Sequence, residues 1–295
     1  MGLRIREITH DFGASIEGWS PEDDLDNAGV ELLRDAFDEF QVLVLRDVEV
    51  PSDAQQCLCG LLVGNDAPAD RAAAVANTHL YSTRVSNKDE DGNAPYGRLL
   101  FHADGMWSES PQELLSLYGE NVEPPSVPTI FVSASRAWER LSNDLRTRID
   151  GRAALQSTGQ RNRGGYDERE LLQAQRTAER SRVTRIPVAH PRTNKPILYV
   201  SQMMTTGIEG LPADESEKLL DELFAVLYDP VHAFEHDWRA RDLVVWDNLA
   251  VQHARGVVTE QGPERSLRKV SAPRPAEVLR ASVEKPRFDR RPEEH

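Results

Sequence analysis

The sequence predicts a mainly β protein, a β-sandwich or jelly-roll core decorated by helices. Three observations predict it. Strand-like runs occur in both halves of the chain, and a polar, helix-prone stretch over about 135–185 interrupts them. The regular strand–helix alternation of a nucleotide-binding sheet is missing.

Residues 25–40 place Leu25, Ala28, Leu32, Leu33, Ala36, Phe37 and Phe40 at spacings of three and four, the stripe of an amphipathic helix. Val42-Leu43-Val44-Leu45 follows as a short buried strand. Ser52 is placed to cap a second helix over about 53–63, stopped by Gly64. The stretch from Thr78 to Asn87 is rich in β-formers, and Asp89-Glu90-Asp91-Gly92-Asn93 makes a turn. From Arg98 to Ser133 several strands alternate with turns, among them Glu123-Pro124-Pro125-Ser126. The insert over 135–185 is Arg-rich and helical in propensity, with a break at Gly164-Gly165, and it is placed to act as a lid. Strand character returns at Val183–Val188 and Ile197–Val200, around a turn at Pro191-Arg192-Thr193-Asn194. A helix over about 213–228 carries Leu219, Leu220, Leu223, Phe224 and Leu227 on one side. Asp242–Trp246 and Ser266–Ser271 read as strands, and the charged tail from about 284 reads as disordered.

Composition narrows the function. The 295 residues, 39% of them hydrophobic, suffice for a packed core. A formal net charge of −14 argues against a nucleic-acid partner, which needs a basic face to displace counterions. It does not forbid an anionic small molecule, because a few cations in a closed pocket outweigh a distant, screened field. No window approaches the apolar length of a membrane span. The opening Met-Gly-Leu-Arg-Ile-Arg-Glu lacks the apolar region of a signal peptide. Cys57 and Cys59, one residue apart in an apolar helical stretch, suit neither a zinc cluster nor a disulfide framework; they read as buried thiols in a reducing, cytoplasmic setting.

One motif carries chemistry. His102-Ala103-Asp104 ends the strand-like run Leu99-Leu100-Phe101, and in an extended segment residues two apart share a face. An imidazole and a carboxylate, joined by a second imidazole, form the facial triad of non-haem Fe(II) oxygenases. Alone the pair carries no weight, because 8 histidines and 49 acidic residues in 295 predict about one His-x-acid match by chance. Its company matters more. Asp242-Leu243-Val244-Val245-Trp246-Asp247-Asn248 is followed by Gln252-His253, and Arg265 lies twelve residues beyond that histidine.

With these segments the sequence resembles the taurine dioxygenase (TauD/TfdA) family of 2-oxoglutarate enzymes. The resemblance runs over about residues 5–275. It takes in the helix–strand unit ending Val-Leu-Val-Leu-Arg and the lead-in Val85-Ser86-Asn87…Glu90-Asp91-Gly92. It continues through Phe101-His102-Ala103-Asp104, Tyr199-Val200…Thr205-Thr206 and Trp246-Asp247-Asn248…His253…Arg265. It implies a double-stranded β-helix fold, with His102, Asp104 and His253 as ligands of Fe(II), and 2-oxoglutarate and O2 as cosubstrates. It also implies that Arg265 and Thr129 hold the distal carboxylate of 2-oxoglutarate, a task that suits a guanidinium fork. The turn before Thr129 is Ser126-Val127-Pro128 where the family usually has a Gly-Gly-Asp-like sequence.

On the substrate side, Lys269 stands where taurine-type members carry an arginine for a sulfonate. A point cation without that planar fork makes a sulfonate the weaker expectation. Met203 and Met204 replace a Gly-Phe pair, and Gly207 replaces an arginine, which fits a larger, partly apolar small molecule. His79, Tyr81, Arg84 and Asn87 complete the candidates on that side. Strand alternation puts Arg265, Leu267 and Lys269 on one face and turns Arg268 away. Because the candidate ligands come from both halves, residues 1–295 read as a single domain; homo-oligomers are common among similar proteins. The rival reading is a jelly-roll non-oxygenase, either a metal-dependent isomerase or hydrolase or a binding protein, using the same His/Asp/His site.

His232 and His236 have the spacing of helical zinc ligands. Ala233 stands where the zincin pattern needs Glu, and Pro230 argues against a helix. His190, in a Pro-bounded turn, reads as a surface residue.

Overall fold

The computed structural model describes residues 2–22, 25–63, 81–89, 92–109, 111–157 and 181–272. Strands β1 (Arg4–Glu7) and β2 (Ala14–Glu17) lead into α1 (Asn27–Phe40), β3 (Val42–Leu45) and α2 (Ser52–Val63). Then come β4 (Tyr81–Ser86), β5 (Gly97–His102), β6 (Leu114–Val122) and β7 (Thr129–Ser133). Two short helices, α3 (Ala134–Arg140) and α4 (Asn143–Ile149), precede β8 (Ala153–Ser157), β9 (Ser181–Arg185), β10 (Val188–Ala189), β11 (Pro196–Ile197) and β12 (Thr205–Ile208). Helix α5 (Ala213–Leu227), β13 (Ala233–His236), β14 (Leu243–Asp247), β15 (Val251–Val258) and β16 (Arg265–Ala272) complete the order.

Two sheets make the jelly-roll core. One has seven strands in the order β1-β2-β3-β14-β6-β16-β4, the other four in the order β13-β7-β15-β5. Alternation gives each strand an inner and an outer face. The inner faces meet in a layer of Val42, Val44, Leu115, Leu117, Phe131, Phe234, Val244, Trp246, Val251 and Leu267. Outside the larger sheet, α1 and α2 pack Leu33, Phe37, Leu58 and Leu62 against Leu43, Leu45, Leu243 and Val245. Outside the smaller one, α3 and α5 cover Leu100 and Val132 with Ala137, Leu219, Leu220 and Leu223. Sheets with both faces covered explain the unbroken apolar runs at Val42–Leu45 and Leu243–Trp246.

Helix α1 is capped at both ends. Asp26 caps it, its side chain accepting from Gly29 N at 2.8 Å, and the chain leaves it through Gln41 in the left-handed region, φ 64°. Gln41 is buried, and its amide bridges Ser133 and Ser135 at 2.6 and 2.7 Å, joining the two sheets at one end.

The structure differs from the sequence expectation in three places. Ser52 lies inside α2, whose first bond runs from Gln55 N to Pro51 O, so Pro51 takes the cap position. The insert begins with the expected helices, but Ala153–Ser157 is a buried strand between β9 and β12; its apolar Ala-Ala-Leu run was masked by the polar composition around it. Of Ile197–Val200 only Pro196–Ile197 forms a strand. Gly164-Gly165, with the rest of residues 158–180 of the insert, and the tail lie outside the described residues.

Phe131 is fully buried between the sheets, its ring 5.2 Å from Trp246, 6.0 Å from Phe234 and 6.5 Å from His253. Phe131→Ala is expected to cost about 3–5 kcal/mol of stability in urea denaturation. A cost below about 1 kcal/mol would contradict this packing.

Candidate active site

His253 on β15 pairs directly with His102 on β5. The sheet register therefore sets two imidazoles side by side, with ring centroids 4.3 Å apart. An extra residue in β5 relative to β15 breaks the alternation, since His253 faces His102 while Arg255 faces Leu99. That bulge lets both Leu99 and His102 line one cavity.

Strand β5 ends at His102, and Asp104 lies in the turn that follows. A shared strand face is thus not what aims its carboxylate. Asn248 does so: its Oδ1 accepts from Asp104 N at 2.9 Å, and its Nδ2 donates to Asp104 O at 2.9 Å and to Gln112 O at 2.8 Å. Asn248 is held in turn by Asp247, whose Oδ1 accepts from Leu249 N and Ala250 N, both at 3.0 Å. Asp247 Oδ2 lies 2.8 Å from both His190 Nε2 and Arg192 Nη2. His190 is therefore buried, 3% exposed, and not on the surface. The Trp246-Asp247-Asn248 run signalled this support without revealing its roles.

The ligating atoms of His102, Asp104 and His253 lie within 4.8 Å of one another. Asp104 Oδ1 is 3.2 Å from His102 Nε2 and 3.9 Å from His253 Nε2, while Lys269 Nζ takes the other oxygen, Oδ2. Lys269 thus leaves one oxygen facing the imidazoles, as monodentate ligation requires. His102 Nδ1 donates to Leu100 O at 2.7 Å, which leaves Nε2 with a free lone pair. The His253 ring is fixed by packing, 5.0 Å from Trp246. Burial, and then the neighbouring His102, hold the His253 imidazole well below its usual value, so it is neutral at neutral pH. Burial would raise the Asp104 carboxyl, but the Lys269 ammonium on Oδ2 keeps it well below the usual carboxylate range. Two imidazoles, one carboxylate and no thiolate fit an Fe(II)-type divalent ion with open positions.

Around this cluster lies a cavity of about 230 Å³. Leu115, Leu117, Trp246, Met203 and Met204 contribute its apolar wall, and Thr129 and Arg265 line it too. Arg265 Nε donates to Val127 O at 3.1 Å and Nη2 to Thr129 Oγ1 at 3.2 Å. Trp238 Nε1 also donates to Thr129 Oγ1, at 2.9 Å. With both lone pairs used, the Thr129 hydroxyl keeps its own proton to donate. Burial, and then the charge of Arg255, lower the Arg265 guanidinium to about 9, still cationic at neutral pH.

The other substrate-side candidates are scattered. Lys269 and Met204 line the cavity. Asn87 does not face it; its Oδ1 accepts from Arg265 N at 2.9 Å, and its Nδ2 donates to Thr259 O and Pro263 O. It positions Arg265 and is not placed to touch a ligand. Arg84 is exposed and paired with Glu120 at 2.8 Å. Tyr81 begins β4, opposite Ser271, and His79 lies outside the described residues. Sequence reading missed Asn248 and Arg255, although both sit in segments already singled out by motif.

Removing the Asn248 clasp should loosen Asp104 without touching a ligand. Asn248→Ala is expected to weaken divalent-metal affinity by about 10–100-fold while leaving the thermal transition cooperative. Unchanged affinity in a calorimetric Mn(II) titration would show that Asp104 is fixed by something else.

Comparison with known proteins places these features in a family. Residues 4–271 match the family model described as taurine catabolism dioxygenase TauD, TfdA family. Pentalenolactone F synthase from Streptomyces arenae is 31% identical over 270 residues, covering 83% of this chain and 86% of that protein. The alpha-ketoglutarate-dependent 2,4-dichlorophenoxyacetate dioxygenase of Cupriavidus pinatubonensis is 24% identical over 273 residues, covering 88% and 94%. The fold is shared with AAD-2 solved with Mn(II) and N-oxalylglycine, at a TM-score of 0.72, 21% identity and coverage of 93% and 98%. It is also shared with a taurine dioxygenase from Burkholderia xenovorans, at 0.70, 19%, 92% and 91%. The chain belongs to the TauD/TfdA family of Fe(II)- and 2-oxoglutarate-dependent dioxygenases.

Proposed function

We propose that this dioxygenase holds iron with His102, Asp104 and His253, and oxidises a C–H bond of a small, largely apolar molecule that carries a carboxylate. Hydroxylation is the simplest such outcome. One observation carries the reading: three convergent ligand atoms share a single cavity with the Arg265–Thr129 pair.

Bound iron supplies the open coordination positions and the redox chemistry that couples decarboxylation of 2-oxoglutarate, to succinate and CO2, with oxidation of the substrate by O2. The protein's share is placement. Arg265 and the Thr129 hydroxyl hold the distal carboxylate of 2-oxoglutarate and so direct its 2-oxo acid end toward the triad. Val85, Pro95, Leu115, Leu117 and Ala254 exclude water and offer an apolar bed. Met203 and Met204, long and flexible, adapt that bed to an irregular shape. Lys269 is the cation on the substrate side. A carboxylate-bearing substrate would share its ammonium with Asp104, placing the reacting carbon near the metal. The relative named for 2,4-dichlorophenoxyacetate points to the same chemistry, an apolar ring bearing a carboxylate.

The non-oxygenase alternative is set aside, because family membership and the Arg265–Thr129 pair both speak for a 2-oxo acid. Cys57 and Cys59, both buried and in no disulfide, accord with a reducing, cytoplasmic setting. Among the described residues no helix is long and apolar enough to cross a membrane.

A screen of carboxylate-bearing apolar compounds with Fe(II), ascorbate and 2-oxoglutarate should find some that stimulate succinate release and gain the mass of one oxygen. With such a compound, Asp104→Ala should abolish the stimulated release, and a fully active variant would refute the ligand assignment. Arg265→Met should raise the KM for 2-oxoglutarate by about tenfold or more, the loss of a charged hydrogen bond. An unchanged KM would remove Arg265 from the cosubstrate site.

A further inference from the structure

Beside Arg265 and Lys269, the cavity is lined by a third cation, Arg255. Arg255 lies two residues past His253 on β15, and alternation turns it to the same inner face. Sheet register sets it directly opposite Thr129 on β7, the residue whose hydroxyl Arg265 reaches at 3.2 Å. Its side chain is buried, 5% exposed, and lines the cavity.

What Arg255 touches explains only part of it. Nη2 donates to Ala94 O at 2.5 Å and Tyr96 O at 3.3 Å, tethering the segment ahead of β5. Among the described residues its buried Nε has no partner, and no carboxylate pairs with this guanidinium. Two half-buried arginines elsewhere in the fold differ. Arg192 has Asp38, Glu113 and Asp247 as partners, and Arg268 has Glu120. A neutral amide would suffice to hold two carbonyls. A whole guanidinium buried beside a second one, with no acid among the described residues to offset either, is unfavourable until an anion arrives.

We infer that Arg255 is a second cationic partner of the distal carboxylate of 2-oxoglutarate, acting with Arg265 across Thr129. The inference rests on the cosubstrate placement proposed above. Two guanidiniums and a hydroxyl select a 2-oxo acid that ends in a second carboxylate over one that ends in a methyl group. Through Ala94 and Tyr96, the same side chain links occupancy of that subsite to the 92–96 segment, which also lines the cavity.

The test is anaerobic titration of the Fe(II) protein, following chelate absorption, with 2-oxoglutarate and with 2-oxopentanoate, its analogue without the distal carboxylate. Arg255→Gln keeps a donor for the two carbonyls and removes the charge. It should raise the Kd for 2-oxoglutarate by about tenfold or more and change that for 2-oxopentanoate less than about twofold. Arg255→Lys should restore most of the difference. The thermal transition of the ligand-free Arg255→Gln protein should stay where it is or rise, since a repulsion has been removed; a purely structural tether would lower it. Equal weakening of both acids, or of neither, overturns the inference. Arg265→Met run in parallel separates the two failures. If Arg265→Met discriminates between the acids and Arg255→Gln does not, Arg255 alone is misassigned; if neither does, the cosubstrate placement falls with it.

Discussion

The constraint on which the site depends is the register between β5 and β15. Placing His253 opposite His102 makes the two imidazoles neighbours through backbone hydrogen bonds, without help from the metal. A one-residue slip would turn every side chain of β15 to the other face. His253 and Arg255 would then leave the cavity together. Phe131 and Trp246, in edge contact with each other, both pack against the His253 ring, so a slip would also cost these contacts. The packed core and the chemistry therefore impose the same register.

Charge follows from this frame. The cavity gathers Lys269, Arg265 and Arg255 against a single internal carboxylate, Asp104, inside a protein whose formal charge is −14. A surface rich in acid keeps the molecule dispersed, while a buried cationic end draws in dicarboxylic ligands; screening separates the two. Of the three cations, Lys269 already has its partner in Asp104, whereas among the described residues the two guanidiniums have only neutral oxygens. The attraction for an anion is thus greatest at the end of the cavity that holds Thr129.

Much of this was legible in the sequence, for reasons that can be stated. Periodicity exposed α1 and α5, and unbroken apolar runs exposed β3 and β14, because covered sheets leave no polar face to confuse the pattern. The resemblance named the triad, Arg265 and Thr129, and the structure brings them into one cavity. Strand alternation put Arg265 and Lys269 on one face and turned Arg268 away; Arg268 does lie against Tyr118 and Glu120 on the other side. The misses share a cause. Asp104 was aimed by strand geometry in a sequence argument that could not see Asn248, 144 residues away, grip its backbone. His190 read as surface because a Pro-bounded turn usually is, yet Asp247 draws it in. Asn87 matched a motif, but only the fold shows that its amide serves the turn before Arg265. Long-range polar partnerships leave no periodic trace.

The central claim is that three side chains from two neighbouring strand ends form one metal site with room for a chelating cosubstrate. Anomalous diffraction from crystals grown with Mn(II) and 2-oxoglutarate tests it most directly. The account predicts a single strong peak within bonding distance of His102 Nε2, Asp104 Oδ1 and His253 Nε2, with the 2-oxo acid completing its sphere and its far carboxylate on Arg265. A peak elsewhere, or an ion at this place without His253, would contradict it.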